Sequence, residues 1–172
     1  MKKFELTAEF VTNGFGKKLF RIKALVAFGD IEKGELGGFI EKEDNLSHDG
    51  DAWVYGDARV SGNARVSGNA WVYGNARVSG NAWVYGDARV YGDADYAVVT
   101  GFGHCFRATT FFRCKDKILR VQCGCFYGDL AQFREIVKKT HGDSKYAKEY
   151  LAIADLMELH FSDEEEKQEA DE

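Results

Sequence analysis

The sequence predicts a mainly β chain built around a short, three-sided parallel β-helix, and three observations predict it. Glycine recurs every six residues, at 50, 56, 62, 68, 74, 80, 86 and 92. Alanine follows each of these glycines by two places. Valine follows each alanine by two more, until Tyr96 stands in its place. A fixed internal period of this kind is the mark of a stacked-repeat architecture.

Each unit reads Gly-(Asn/Asp)-Ala-x-Val-y. In a short extended segment the alanine and valine project to one side and the residue between them to the other. Alanine and valine therefore line an interior, while Trp or Arg at x and Tyr or Ser at y face outward. Gly-Asn or Gly-Asp turns the corner, because glycine and, next best, Asn and Asp tolerate positive φ. Six residues make one side and its corner, and three sides make a coil of 18 residues. The next coil stacks about 4.8 Å above it through parallel β hydrogen bonds. The phase runs backwards, less regularly, through Leu46 and Ile40, so the repeat region is read as residues 38–97.

An open β-helix end exposes unpaired backbone groups and needs a cover. Phe4, Leu6, Ala8 and Phe10 alternate, Asn13-Gly14 supplies a turn, and Phe20, Ile22, Ala24 and Val26 alternate again. Residues 1–37 are thus expected to form a β-hairpin that caps the N-terminal end.

Residues 98–161 are read as a small α+β module. Segments 98–102, 107–114 and 118–125 are rich in Val, Thr, Phe and Ile, which gives two or three antiparallel strands. Asp129 with Gln132 forms a capping-box pattern, followed by Leu130, Phe133, Ile136 and Val137 on one helical face. Gly142 ends that helix and Asp143 opens a second, whose inner stripe is Tyr146, Tyr150, Ile153, Met157 and Phe161. The tail 162–172 carries seven acids and one lysine, a net of −6, out of −5 for the whole chain. With no aromatic residue it is expected to be disordered, as a solubilising segment or a mimic of a phosphate backbone.

The repeat Val-x-Gly-(Asn/Asp)-Ala-x resembles the hexapeptide-repeat proteins, and the resemblance implies that the coil is left-handed. The stretch LFRIKALVAFGDIEKGELGGFIEKEDNLSHDGDAWVYGDA, residues 19–58, is similar to the N-terminal region of phage and bacterial proteins labelled hexapeptide transferases or polymer-forming proteins. The similarity covers roughly Leu19 to Ala94.

Composition excludes some classes of function. Removing the tail leaves a body of about +1, without the positive field of a general nucleic-acid binder. No apolar run approaches the roughly 18 residues of a membrane span. The N-terminus has no apolar core of a secretory signal, so a cytoplasmic location with reduced cysteines is expected.

Stacking residues i and i+18 places Trp53, Trp71 and Arg89 in one outward column, with Tyr55, Tyr73 and Tyr91 beside it. So much outward aromatic surface requires a cover or a partner. It could be covered by the C-terminal module, pair with a second copy in a homo-oligomer, or bind a ligand. Aromatic faces beside guanidinium groups suit nucleobases and phosphates, so these six residues form the candidate site for a protein partner or a nucleotide-like molecule. For a phage-related chain, the corresponding activity is inhibition of a host protein or sequestration of a host signal nucleotide.

The alternative implied by the resemblance is an acyltransferase using acyl-CoA. Members of that group use a histidine as general base, and His48 is the only histidine near the repeats. No cofactor is expected. His104, Cys105, Cys114, Cys123 and Cys125 are near enough in sequence to be zinc candidates, although their spacing lacks paired CxxC knuckles.

Overall fold

The structure, a computed structural model, describes residues 1–162. The acidic tail read from the sequence lies outside the described residues from position 163 onward. Two strands, β1 (Phe4–Thr12) and β2 (Lys18–Ala24), pair antiparallel around a turn at Asn13–Lys17. The Asn13 side chain fixes that turn by accepting from the N–H groups of Phe15 and Lys17. β3 (Leu36–Ile40) then lies antiparallel to β2.

Seven two-residue strands follow at six-residue intervals: β4 (Trp53–Val54), β5 (Arg59–Val60), β6 (Arg65–Val66), β7 (Trp71–Val72), β8 (Arg77–Val78), β9 (Trp83–Val84) and β10 (Arg89–Val90). They pair in parallel and fall into three ladders, β4-β7-β10, β3-β5-β8 and β6-β9. Within the hexads every pairing joins residue i to i+18, as in Trp53 with Trp71, Arg59 with Arg77 and Arg65 with Trp83. All corner glycines from 50 to 86 have positive φ, whereas Gly92 is extended and the series stops there. The alanines from 52 to 88 and the valines from 54 to 90 are at most 1% exposed. They form one continuous core, as the alternation of Ala and Val predicts.

The ladders have a direction. Each N–H bonds to a carbonyl about one coil later, as Trp53 N does to Ala70 O and Trp71 N does to Ala88 O. Carbonyls at the N-terminal end and N–H groups at the C-terminal end are therefore left over, and buried backbone groups need partners. At the first end Lys3 Nζ donates to Gly50 O and Ala52 O, and Asn45 Nδ2 donates to Gly62 O and Ala64 O. At the far end Asp93 Oδ1 accepts from Arg77 N, and Thr110 Oγ1 accepts from Trp83 N.

The C-terminal sheet has four antiparallel strands rather than two or three: β11 (Tyr96–Val99), β12 (Thr109–Arg113), β13 (Leu119–Cys123) and β14 (Phe126–Asp129). The Gly124 turn adds β14 as a hairpin return, and the aromatic pair Phe126-Tyr127 continues the pleat. Helices α1 (Leu130–His141) and α2 (Lys145–His160) pack on one face of this sheet. Asp129 and Gln132 make the reciprocal capping box. The second helix is capped by Ser144, not Asp143, because the Ser144 hydroxyl accepts from Ala147 N. The other face of the sheet abuts the solenoid: Phe112 and Cys114 join the Ala/Val core, and Cys114 bridges to Ala88. The layers run solenoid, sheet, helices. Among the described residues no helix is long and apolar enough to cross a membrane.

Candidate binding site

The column that carries the sequence-derived site is the ladder β4-β7-β10. Its first member does not face solvent. Trp53 is 0% exposed, packed edge-on against Phe28 at 5.3 Å and Phe4 at 6.4 Å. This corrects the expectation that Trp53 belongs to an outward binding surface. The N-terminal segment, not the C-terminal module, covers it.

Trp71, one coil along, is only partly buried, and Arg89 lies over it with the guanidinium carbon 4.1 Å from the ring centroid. Arg89 Nη1 is anchored by the carbonyls of Asn69 and Ala88, both at 2.9 Å. In the neighbouring column Tyr55, Tyr73 and Tyr91 stack edge to face. The Tyr73 hydroxyl is buried and has no hydrogen-bond partner among the described residues, so this ring is packing and does not reach a ligand. Tyr55 also packs against the core, and burial pushes its hydroxyl pKa up to about 12. Tyr91 is 61% exposed.

The Trp71–Arg89 pair forms a ridge between two hollows. On one side a hollow of about 500 Å³ is bounded by Tyr91, Arg113, Lys115 and Lys117, with Asp95 as the one carboxylate among its described lining residues. Asp95 lies 3.6 Å from Arg113. Four cationic side chains, counting Arg89, thus converge with two aromatic rings. On the other side a hollow of about 370 Å³ is lined by Asp30, Asp51 and Asp87, with Tyr55 at its wall. The sequence pointed to the ridge. It gave no sign that the β12–β13 turn, Lys115-Asp116-Lys117, swings its lysines beside it, since that proximity comes from docking the sheet on the last coil. Lys115 N bonding to Asp87 O fixes this placement.

His48 is committed to structure. Its Nδ1 accepts from Lys3 N at 3.1 Å, its Nε2 lies 2.7 Å from Glu43 Oε1, and its ring stacks on Phe4. With Nδ1 accepting, the ring proton resides on Nε2, which leaves no free lone pair for a general base.

The zinc candidates do not come together as a set. Cys114 is buried in the solenoid core, separate from the others. His104, Cys105, Cys123 and Cys125 line a cavity of about 350 Å³ between the sheet and the helices. Its other walls are largely apolar and aromatic, including Phe126, Phe133, Tyr146 and Tyr150. Among the described residues no group of three or more His, Cys, Asp or Glu side chains is placed to hold a metal ion. The His104 ring and the Arg107 guanidinium instead hold the Cys105 thiol below its ordinary pKa.

A family model described as YdcK Beta solenoid repeat matches residues 52–68, 58–74 and 70–86. A comparison with curated proteins finds no match. The matched stretches lie inside the hexad ladders, and the chain is a repeat protein with a β-solenoid similar to the YdcK repeat.

Proposed function

We propose that this chain is a non-catalytic binding protein that takes a nucleotide-like anion in the hollow beside Trp71 and Arg89. The observation that carries the reading is the meeting of Trp71 and Tyr91 with Arg89, Arg113, Lys115 and Lys117 around one hollow. Aromatic rings offer stacking to a base, and clustered cations offer charge-assisted hydrogen bonds to phosphate oxygens. The solenoid, in this reading a left-handed, three-sided coil, is the rigid base that holds the ridge. Three ladders in an 18-residue register support three sides, and the resemblance to hexapeptide repeats supports the hand. In a phage-related chain such a site would sequester a host signal nucleotide.

Thermal unfolding against cyclic and linear signalling nucleotides, nucleotide sugars and acyl-CoAs tests the reading. A ligand at 100 times its Kd adds roughly 2.7 kcal/mol, a rise of about 5–10 °C for a chain of this size. The expected result is a rise with a nucleotide that is lost in Trp71→Ala and Arg89→Ala. A rise that survives both substitutions in folded protein would place the site elsewhere. A rise with acyl-CoA alone would revive acyl transfer, and silence throughout would favour a protein partner.

A further inference from the structure

The cavity between the sheet and the helices contains a second kind of chemistry, independent of the ridge. Cys105 is exposed, on the loop that joins β11 to β12, and its Sγ lies 3.6 Å from His104 Nδ1. Arg107, two residues further on, lines the same cavity as Cys105 and Cys123. Tyr150 forms part of the wall of that cavity. A side chain on Gly124 would collide with the Arg107 guanidinium, so the bare turn at Gly124 is what lets Arg107 sit against the 123–125 hairpin. The loop is a tight one: Gly101 and Gly103 take left-handed backbone, as does Phe106, and Gly101 N bonds to Phe106 O.

We infer that Cys105 is an oxidative modification site that reacts with hydroperoxides and is resolved by Cys123 to a disulfide. The Cys105 thiolate sulfur attacks one peroxide oxygen; the S–O bond forms, the O–O bond breaks, and the second oxygen leaves as alcohol or water after taking a proton. Cys105 is oxidised by two electrons to the sulfenic acid, and the peroxide is reduced. The Cys123 sulfur then attacks the Cys105 sulfur; the S–S bond forms, the S–O bond breaks, and water leaves with the Cys123 proton. Arg107 stabilises the attacking thiolate and the departing oxyanion. Closing the disulfide requires the 101–106 loop to carry Cys105 to within bonding distance of Cys123. The bond would fix the loop across the mouth of the cavity.

The test is stoichiometric hydrogen peroxide on the fully reduced full-length chain, followed by non-reducing peptide mass spectrometry. The expected product is a Cys105–Cys123 cross-linked peptide with loss of two hydrogens. Cys123→Ser should leave a Cys105 sulfenic acid that dimedone captures, and Cys125→Ser should leave the cross-link unchanged. Arg107→Gln, checked for intact fold by circular dichroism, should slow the reaction roughly threefold, since lower thiolate content is partly offset by higher nucleophilicity. A Cys123–Cys125 bond as the main product, oxidation of Cys125 ahead of Cys105, or a rate indifferent to Arg107→Gln would overturn the inference.

Discussion

The ammonium nitrogen of Lys3 lies 2.9 Å from the carbonyl oxygen of Ala52, with Gly50 O at 3.2 Å from the same nitrogen. These carbonyls belong to the start of the β4-β7-β10 ladder, where no earlier coil offers an N–H. Lys3 is 3% exposed, so water does not replace it. Lys3→Met keeps an unbranched side chain of similar length but removes the ammonium that lies over the Phe28 ring and leaves both carbonyls without this donor. The expected loss is about 2 kcal/mol at pH 7, measured by urea denaturation. A change within error would mean that the end of the ladder does not need its cap.

The same lysine gives the chain a pH signature. Burial pushes the Lys3 pKa down to about 8 from its ordinary 10.5, opposed by the charges of Asp51 and Asp49. Between these values the unfolded chain holds a proton that the native chain has released, so the contribution of Lys3 to stability rises with pH. Below pH 8 both states are protonated and the contribution is flat. A neutral amine still donates to two carbonyls. The stability difference between wild type and Lys3→Met should therefore widen from pH 8 to 10, and a narrowing gap would reverse the sign of the argument.

Two corner glycines with similar backbone separate strain from collision. Gly50 and Gly56 have φ of 69° and 55°. A Cβ on Gly56 meets nothing within 4 Å, whereas one on Gly50 falls on the carbonyl oxygen of Gly68 in the next coil. Gly56→Ala should cost about 1–2 kcal/mol for left-handed backbone alone. Gly50→Ala should cost about 1–3 kcal/mol more, from forced separation of stacked coils. Equal losses in thermal unfolding would show that the coils yield freely at that corner.

The solenoid was legible because its period fixes which residues meet: i and i+18 can be read without knowing any other contact. Ala, Val and the corner glycines then follow from side-chain alternation and positive φ. The helix caps were nearly as legible, since Asp129 and Gln132 are local to each other, and the one-residue error between Asp143 and Ser144 reflects two residues with the same capping chemistry. What failed depended on long-range docking. Trp53 has the same sequence neighbours as Trp71, and only the covering by Phe4 and Phe28, more than 20 residues away in the chain, distinguishes them. Lys115 and Lys117 looked like an ordinary hairpin turn for the same reason.

Phe111 and Phe112 are sequence neighbours in different cores. Phe111 packs edge-on to Phe133 at 6.1 Å among the helices, while Phe112 belongs to the Ala/Val core of the solenoid. Both are 0% exposed, so truncation to alanine should cost about 3–5 kcal/mol in each case. The location of the damage should differ. By hydrogen exchange, Phe111→Ala should expose α1 and α2, and Phe112→Ala should expose β9 and β10. The same exchange pattern in both variants would mean that the two cores unfold as one unit.

Thr110 closes the ladder β6-β9 at its far end. β9 has no following strand in this ladder, and its Trp83 N–H is accepted at 2.9 Å by the hydroxyl of Thr110, which is 1% exposed. A side-chain oxygen thus takes the place that a carbonyl fills in each earlier coil. Thr110→Val preserves the volume and branching of the side chain, so packing is a minor part of its effect. It strands a buried N–H, and the expected loss is about 1–3 kcal/mol with faster exchange at the Trp83 amide. Thr110→Ser keeps the oxygen and removes one methyl group, so it should retain protection of that amide despite some loss of packing. If Thr110→Ser instead exposed the amide as much as Thr110→Val, the methyl contact rather than the hydrogen bond would be what seals the end of the solenoid.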